Sequence, residues 1–395
     1  MKRILFVDDD ALLREVYEAM LSDEKRWEIA TAPGGEAALA LMAGRPFDVV
    51  ASDMRMPGMN GIQLLNEVLA RYPQMSRVII SGSADQAEAA NALGSTHQFL
   101  TKPVDLNSLR AMLVRLDGLD AFLKGEKLKQ LAGRLRVLPS FPLLYLEIMR
   151  AIEAPETSLQ TIENLIAKDP GLTAKMLQIV NSAALGLHEK VSDPLDAVQQ
   201  LGLNTVRSLA LSAHVFANFT PAQKINFPVD ALWMHLMKCG NTARAIMRAE
   251  DADHAYVEAA YTAGILHDIG KLMLADSLPK EFQNVLAQTA TRSEPFHQIE
   301  TEVFGADHAG LAAYLLGLWG LPAMIVEAVA FHHTPERSTH QKFSPLTAVH
   351  VANALEHEMD GRHPNLNGDY LASIGVMDRL GVWRQEARKL REDSW

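Results

Sequence analysis

The first 120 or so residues alternate between short apolar runs and amphipathic helical patterns, and this alternation constrains the fold more than any other feature. The apolar runs are "RILFV", "FDVVAS", "RVIIS" and "HQFLT", and the helical patterns between them include "ALLREVYEAMLS", "GGEAALALMA" and "GIQLLNEVLARY". Short apolar strands that alternate with helices are typical of a parallel sheet covered on both faces. The sequence therefore predicts an α/β fold with a doubly wound, parallel sheet.

Polar residues follow the predicted strands where each one ends. Asp8 and Asp9 come directly after the first strand, Asp53 ends the third, Ser81 ends the next, and Lys102 follows the last. Ligands of open parallel sheets bind beyond the carboxyl ends of the strands, so these side chains are expected to converge. Clustered carboxylates make a hard-oxygen site for Mg²⁺, and a carboxylate beside the metal can attack a phosphoryl group.

These residues resemble the receiver domain of two-component response regulators over about Met1 to Gly118. The stretches that carry the resemblance are "VDDD", "DMRMPGMNG", "SGS" and "KP". The resemblance implies a flavodoxin-like fold with a five-stranded sheet, Mg²⁺ as cofactor, a sensor histidine kinase as partner and phosphorylation of Asp53. It also implies two sets of residues, which are Asp8, Asp9, Asp53 and the Arg55 carbonyl for Mg²⁺, and Ser81, Lys102 and the aromatic Phe99 for phosphoryl binding and switching.

The second part of the chain is predicted to be helical. Leucines at helical spacing indicate a last receiver helix that continues into a connector, broken or bent near Gly118 and Gly125. Such a stripe can form a dimer seam, but more often it packs on a core. The predicted divisions are a receiver domain at 1–118, a connector at 119–137, a helical domain at 138–360 and a tail at 361–395. The terminal stretch "RQEARKLRED" is expected to be a solvated helix.

Five histidines and one aspartate lie on or at the ends of predicted apolar helices in this second part. They are His235, His267, Asp268, His308, His332 and His333. A single histidine on such a helix is usually a hydrogen-bonded core residue, so none of them is informative alone. Together they could ligate one or two divalent metals that activate water for phosphoester hydrolysis.

The region from about Leu138 to Asp360 resembles the HDOD domain, a signalling relative of the HD-type metal phosphohydrolases. The residues that carry the resemblance include "LPSFP", "IAKDPGLTAKMLQIVNSAALG", "GILHDIGKLML", "VFGADHAGLAAYLLGLWGLP" and "FHH". Among active enzymes it is similar to the HD-GYP group, which hydrolyses cyclic di-GMP. That similarity implies metal ligands at the five histidines and Asp268, and a phosphate-contacting role for Lys271.

Two departures from the HD-GYP pattern indicate a vestigial site that binds a divalent metal weakly or not at all. The sequence after His333 reads "TPERSTHQ" and lacks the Gly-Tyr-Pro element. Asn353 stands where such enzymes have their last ligand aspartate, and a neutral amide oxygen is a poorer ligand than a carboxylate. His350 or Asp360 could compensate, although neither matches the pattern.

Two functions therefore compete. The favoured hypothesis is a phosphorylation-controlled response regulator whose HDOD domain binds a protein or nucleotide partner without catalysis, and the alternative is a metal-dependent phosphodiesterase output. A DNA-binding output is disfavoured, because the net charge is −11 and no helix-turn-helix with a basic recognition helix stands out.

Membrane insertion is also disfavoured, because Pro322 and Glu327 interrupt the apolar segment Leu311 to Phe331, which indicates a buried helix pair. The single cysteine, Cys239, favours a reducing compartment such as the cytoplasm.

Overall fold

A computed structural model of the chain describes residues 2–22, 24–81, 95–122, 126–134, 148, 151, 158–166, 198–199, 202–203, 205–206 and 227–392. The contacts within it divide the chain into two compact units, an N-terminal unit with a β-sheet and a helical C-terminal unit. Two segments for which the sequence makes predictions, the boundary motif "LPSFP" and the segment Ile166 to Gly186, fall largely or entirely outside the described residues.

The N-terminal unit is a parallel sheet with flanking helices, as the alternation predicts. Its five strands lie in the order β2-β1-β3-β4-β5. The strands are β1 Lys2–Val7, β2 Trp27–Ala32, β3 Val49–Asp53, β4 Ser76–Ser81 and β5 Gln98–Thr101. The helices are α1 Ala11–Leu21, α2 Gly35–Gly44, α3 Gly61–Arg71, α4 Leu106–Phe122 and α5 Glu126–Arg134. All five residues of β3 are buried, which explains its continuous apolar pattern.

Strand β2 has no counterpart among the apolar runs that stand out in the sequence. It lies at the edge of the sheet and pairs in parallel with β1, with Lys2 opposite Trp27. Only part of an edge strand is covered, and Glu28 accordingly accepts hydrogen bonds from Arg3 (2.9 Å) and Arg45 (2.8 Å). Strand β2 contains polar and half-buried residues, so its apolar pattern is weaker than the pattern that identifies the central strands.

The leucine stripe after the sheet is buried at most of its described positions, and Leu106 at its start is half-buried. Helix α4 runs without a break through Gly118 to Phe122 and α5 begins at Glu126, so the helix does not end at Gly118, and Gly125 lies outside the described residues. Nothing lies within 4 Å of a Cβ built at Gly118, so an alanine would fit there and glycine is not required at this position of the helix. Leu109, Leu116 and Leu131 are all buried, which agrees with a stripe that packs on a core.

The C-terminal unit consists of helices. Its described elements are α6 Leu159–Ile166, α7 Val229–Ala249, α8 His254–Leu266, α9 Ile269–Ser277, α10 Pro279–Thr289, α11 Phe296–Phe304, α12 His308–Leu318, α13 Ala323–Phe331, the 3₁₀ turn Pro335–Arg337, α14 Pro345–Met359, α15 Gly368–Ser373, the 3₁₀ turn Met377–Arg379 and α16 Leu380–Glu392. Helices α7, α8, α13 and α14 pack against one another and form its centre. The apolar segment Leu311 to Phe331 is the helix pair that the sequence predicts, with Pro322 capping α13. Among the described helices, none is long and apolar enough to cross a bilayer.

Three glycines allow the central helices to approach closely. A Cβ on Gly264 would lie 2.7 Å from the Cα of Gly240, so α8 can pack on α7 only because both positions lack a side chain. A Cβ on Gly270 would lie 2.1 Å from the carbonyl oxygen of His308, so α9 meets the start of α12 at its backbone. Both glycines of "GILHDIGKLML" therefore set the spacing of the elements that carry His267 and Asp268.

The tail contains more structure than a solvated helix. Trp383 is completely buried and its indole donates a hydrogen bond to Glu250 (2.8 Å). Near the end of α16, Arg391 pairs with Glu356 (3.0 Å) and Asp360 (2.5 Å) at the end of α14. The predicted terminal helix is present, and among its described residues Ala387 alone is fully buried, while Trp383 directly before it anchors α16 on the helical core.

Candidate functional site

The sheet unit brings its acidic residues together at the carboxyl ends of β1 and β3. Ligand oxygens of Asp8, Asp9 and Asp53 lie within 4.8 Å of one another. Lys102 joins them, with its Nζ 2.9 Å from Asp53 Oδ1 and 3.1 Å from Asp8 Oδ2. Three carboxylates opposed by one ammonium suit a hard divalent cation such as Mg²⁺, because the cation would offset the charge that Lys102 leaves uncompensated.

Burial and charge act in opposite directions on Asp53. Partial burial raises the pKa of the Asp53 carboxyl above its ordinary value, and the nearby Asp8 carboxylate adds to this effect. The Lys102 ammonium and the backbone N–H of Met54 (2.9 Å to Oδ1) favour the ionised form. The Asp53 carboxylate, which is paired with the Lys102 ammonium, could act as a nucleophile toward a phosphoryl group once a metal ion neutralises the charge of the phosphoryl oxygens.

The backbone around Asp53 is fixed by the loop that follows it. A Cβ on Gly61 would lie 2.1 Å from the Asp53 carbonyl oxygen, so only glycine fits at the start of α3. Asn60 caps this helix by accepting a hydrogen bond from Gln63 N (2.9 Å), and Gln63 accepts one from Asn60 N in return. Gly58 has φ +72°, a left-handed conformation that other residues rarely adopt.

The remaining predicted receiver residues lie at strand ends or in the loop. Ser81 is buried at the end of β4, beside the strand that carries Asp53, and Arg55 is exposed in the loop after β3. Phe99 lies on β5 next to β4, with its backbone opposite Ile79. The side chain of Phe99 is outside the described residues, and its predicted switching role remains a prediction.

In the helical unit, the predicted ligand residues meet because most of them lie at helix ends that point to one place. His267 ends α8, Asp268 begins α9, His308 begins α12, and His332 and His333 follow α13. Ligand atoms of Asp268, His308, His332 and His333 lie within 4.8 Å of one another. His235 on α7 comes within 3.9 Å of the same carboxylate. We call these six residues the histidine cluster.

Three histidines of the cluster are held through Nδ1. Nδ1 of His267 lies 2.7 Å from the Gly264 carbonyl oxygen, and Nδ1 of His332 lies 2.8 Å from that of Val329. His308 bonds through Nδ1 to the buried carboxylate of Glu300. Anchoring one ring nitrogen in this way leaves Nε2 pointing inward, which is the arrangement of metal-binding histidines.

Asp268 is the central carboxylate of the histidine cluster. Its Oδ1 lies 2.8 Å from His308 Nε2 and 3.6 Å from His332 Nε2, and its Oδ2 lies 3.6 Å from His267 Nε2. Oδ2 also forms an ion pair with Lys271, one turn along α9. Burial alone would raise the pKa of the Asp268 carboxyl, but Lys271 and the neighbouring imidazoles hold it well below its usual range. Asp268 is therefore ionised.

The two most deeply buried imidazoles of the histidine cluster differ in their protonation state. Burial holds the pKa of His267 well below its ordinary value, so this ring is neutral near pH 7. Burial acts in the same direction on His308, but the carboxylates of Glu300 and Asp268 outweigh it and raise the pKa of His308 to about 9. His308 is thus an imidazolium between two carboxylates and must lose a proton before it can bind a metal.

Asn353 lies beside His235 of the histidine cluster. His235 Nε2 donates a hydrogen bond to Asn353 Oδ1 (3.1 Å). Neither of the two residues that could compensate for Asn353 is available. Both ring nitrogens of His350 bond to backbone atoms, Nδ1 to His332 O (2.7 Å) and Nε2 to Asn367 N (2.9 Å). Asp360 pairs with Arg362 (2.6 Å) and Arg391.

Sequence reasoning missed the residues that surround the cluster. Glu300 lies on α11 and orients His308, and no local pattern in the sequence distinguishes it from a surface glutamate. The ring of His297 stacks on His333 with centroids 4.3 Å apart, and that of His357 stacks on His235 at 4.9 Å. For His357 the sequence spacing could have provided a signal, because this residue follows Asn353 by one helical turn on α14.

The donor set fits a divalent cation. Nε2 of His267 and Nε2 of His332 are buried, and within the described part of the chain neither has a hydrogen-bond partner. Buried polar atoms are rarely left unpaired, so two such nitrogens beside an ionised carboxylate indicate a place for a cation. Asp268, His267 and His332, with His308 once deprotonated, are the residues that would hold it.

Comparison with known families assigns both units. The sequence profile of the HDOD domain matches residues 138–335, half of the chain. The chain belongs to the HDOD family. The profile of the response regulator receiver domain matches residues 4–114. The protein is thus a response regulator with an N-terminal receiver domain and an HDOD output domain.

Individual relatives agree with this division. An uncharacterized protein of Treponema pallidum is 28% identical over 234 residues, which are 59% of this chain and 45% of that protein. The response regulator protein PilR of Pseudomonas aeruginosa is 37% identical over 114 residues, 28% of this chain and 25% of PilR. The chain thus spans less than half the length of either relative.

One solved structure aligns with this chain over nearly all of its own length. It is an HDOD domain protein of unknown function from Geobacter sulfurreducens, which aligns with a TM-score of 0.55 and 21% identity over 69% of this chain and 95% of that chain. A candidate phosphohydrolase from Shewanella amazonensis aligns with a TM-score of 0.50 and 20% identity over 69% of this chain and 97% of that chain. At these identities the likeness shows the fold alone.

Proposed function

We propose that the protein is a cytoplasmic response regulator that a sensor histidine kinase phosphorylates on Asp53, and that its HDOD domain binds a protein or nucleotide partner without catalysing a reaction. The receiver half of this proposal is supported by the group of Asp8, Asp9 and Asp53 with Lys102 bound to two of them. The non-catalytic half is supported by the pairing of the cluster's carboxylate with Lys271.

Phosphorylation of Asp53 can be tested with a small phosphodonor. In the presence of Mg²⁺ the wild-type protein should gain one phosphoryl group, measured by intact-protein mass spectrometry, and Asp53→Asn should gain none. Asp48→Asn is a matched control, because Asp48 is exposed at the opposite end of the same strand and bonds to Arg3 N (2.8 Å). Equal labelling of the Asp53→Asn protein would refute the assignment, as would full labelling without Mg²⁺.

The ion pair between Lys271 and Asp268 carries the argument against catalysis. A dinuclear hydrolytic site needs carboxylates to offset the charge of two buried divalent ions. Asp268 is the one carboxylate among the six residues of the cluster, and the Lys271 ammonium already occupies its Oδ2. The Glu300 carboxylate bonds to His308 Nδ1, on the outer side of that ring. Asn353 contributes a neutral amide that bonds to His235 instead of a second carboxylate. The cluster therefore suits one ion at most.

Catalysis can be tested on the full-length protein after loading with a divalent metal. We expect no steady hydrolysis of cyclic dinucleotides above the level of His267→Ala, measured by chromatography of the products. Asn353→Asp should strengthen metal binding in calorimetry, because it adds the missing carboxylate next to His235. Steady hydrolysis by the wild type that is lost in His267→Ala would overturn the non-catalytic assignment.

That outcome would favour a metal-dependent phosphodiesterase. The observation that supports this second function is the pair of unpartnered nitrogens on His267 and His332. A cation bound there would supply Lewis acidity to a phosphoester, and Lys271, with its Nζ at the rim of the cluster, could contact a phosphate oxygen once released from Asp268. Lys271→Met should then lower hydrolysis and leave metal content unchanged.

Phosphorylation is expected to reach the HDOD domain through the segment that follows β5. A phosphoryl group adds a charge of about −2 at the edge of the sheet, where Lys102 and Ser81 can engage it. Couplings of this kind are typically ~1–3 kcal/mol, so they shift an equilibrium between conformations. Hydrogen exchange with and without a beryllofluoride phosphoryl mimic should therefore change around residues 98–101 and 104–138. A change confined to the loop after β3 would show that the signal stops in the receiver.

A further inference from the structure

The only cysteine of the chain lies against the histidine cluster. Cys239 is one turn beyond His235 on α7, and its side chain is fully buried. Its Sγ lies 3.5 Å from His235 Nε2. Two potential ligands four residues apart on one helix face present their donor atoms to the same point, as metal-binding pairs on helices do.

The distance between the two ligand atoms on α7 matches that of a tetrahedral site with mixed ligands. Zinc binds sulfur at about 2.3 Å and imidazole nitrogen at about 2.0–2.1 Å, which places two such ligands about 3.5 Å apart at a tetrahedral angle. The distance between Cys239 Sγ and His235 Nε2 is 3.5 Å. His267 completes the group, since its donor atom lies within 4.8 Å of both others.

His267 supplies the observation that separates this group from an ordinary buried cysteine. A free cysteine inside a helix is usually a small apolar core residue. His267 is also completely buried, yet its Nε2 has no hydrogen-bond partner in the described part of the chain. Its Nδ1 is fixed by the Gly264 carbonyl, so rotation of the ring cannot find another partner. The orphaned nitrogen faces the region shared by Cys239 and His235.

We propose that Cys239, His235 and His267 form a thiolate-containing site for a zinc-type divalent cation. The Asp268 carboxylate, with Oδ2 3.6 Å from His267 Nε2 and 3.9 Å from His235 Nε2, can serve as a fourth ligand. A cation here would use the same His267 Nε2 and Asp268 as a cation held with His332, so the two positions are alternatives for a single ion. A thiolate with imidazoles selects zinc over Mg²⁺, which prefers oxygen ligands. Cys239 thereby contributes the negative charge that Asn353 does not provide.

Metal loading requires two changes in hydrogen bonding and protonation. The Cys239 thiol must lose its proton to the solvent, because the thiolate is the ligand. His235 Nε2 must stop donating to Asn353 Oδ1, since one nitrogen cannot donate a hydrogen bond and bind a cation together. A site of this kind is closed and structural, and it holds α7 to the end of α8.

Cobalt spectroscopy on the full-length protein tests the proposal directly. Co²⁺ bound to a thiolate has an intense near-ultraviolet charge-transfer band, and Cys239 is the one cysteine that can produce it. We expect the band to appear with one equivalent of Co²⁺, to be displaced by Zn²⁺ and to be absent in Cys239→Ser. His363→Gln is a control that should retain the band, because His363 is exposed and bonds to Asn365 (3.0 Å).

X-ray absorption of the zinc-loaded wild type provides a test that requires no variant. We expect one sulfur scatterer at about 2.3 Å together with nitrogen scatterers. Excess Mg²⁺ is present in both experiments to occupy the carboxylates of Asp8, Asp9 and Asp53. Under these conditions, bound Co²⁺ without a charge-transfer band, a zinc spectrum without sulfur, or a wild type that binds neither metal would each overturn the proposal. These results are independent of the Asp53 labelling and hydrolysis assays, so failure here is distinguishable from failure of the proposed function.

Discussion

Gly270 is the position where one added methyl group should most clearly test how the histidine cluster is assembled. An alanine Cβ there would lie 2.1 Å from the His308 carbonyl oxygen, 2.8 Å from its carbonyl carbon and 2.9 Å from its Cα. The obstructing atoms are backbone, so they cannot rotate away. Either α9 or the start of α12 must move by roughly 1 Å to restore a normal contact, which displaces Asp268 and His308 from each other.

The magnitude follows from two opposing effects. Overpacking a well-packed interior costs typically ~1–3 kcal/mol, whereas replacing glycine by alanine in a helix can gain up to ~1 kcal/mol. Gly381 offers a matched comparison, because it is also the second residue of a helix in the same unit, and nothing lies within 4 Å of a Cβ built there. The difference between Gly270→Ala and Gly381→Ala therefore isolates the steric cost, which we expect to be ~2–3 kcal/mol.

Urea denaturation followed by tryptophan fluorescence measures that difference. Gly381→Ala should unfold at or slightly above the wild-type midpoint, and Gly270→Ala clearly below it. Metal affinity should also fall in Gly270→Ala and stay constant in Gly381→Ala. Equal midpoints for the two variants would refute the conclusion that the close approach of α9 to His308 fixes the cluster.

Three further outcomes are expected from other parts of the chain. Gly61→Ala should slow phosphoryl transfer to Asp53 in a phosphodonor time course, because the new Cβ would lie 2.1 Å from the Asp53 carbonyl oxygen. Trp383→Ala should lower the free energy of unfolding by ~3–5 kcal/mol in denaturant titrations, since the whole indole is buried. Arg391 and a second arginine lower the pKa of Asp360 to about 2. Wild type should therefore be more stable than Asp360→Asn above about pH 4, and this advantage should vanish as the pH falls toward about 2.

The receiver could be predicted almost completely from sequence because its signals are local. An acidic pair directly after an apolar strand, and a loop with proline and glycine after Asp53, each define a position in the fold without reference to distant residues. Strand β2 was the exception. It lies at an edge where Glu28 faces arginines, so its pattern is weaker than that of the fully buried β3.

The helical site was predictable only in part, because its contacts join segments far apart in the chain. Histidines stood out since they interrupt apolar helices, and the structure brings His267, His308, His332 and His333 around Asp268. Cys239 did not stand out, because a cysteine in an apolar helix resembles a core residue. Its significance depends on the packing of α7 on α8, which the sequence does not encode at any single position.

The tail shows how a motif can be read too narrowly. The stretch "RQEARKLRED" is a helix whose described residues are mostly exposed or half-exposed, as its charge indicates, but Leu380 and Trp383 directly before it and Ala387 within it follow helical spacing and are buried. Amphipathic periodicity over the whole of α16 identifies the face that packs on the core, and the high charge describes the opposite face. The loss of Arg391 would expose the carboxylate of Glu356, which is otherwise almost completely buried.

The burial of Cys239 also makes the native chain suitable for thiol-labelling experiments. A maleimide has no access to a side chain with 0% exposure, so a cysteine introduced at any surface position can be labelled selectively without first removing the natural one. The same inaccessibility makes Cys239 a reporter of rare opening events. Its rate of modification in the folded protein reports how often α7 separates from its neighbours. If phosphorylation or added zinc changes the frequency of this opening, the rate of modification will change with it.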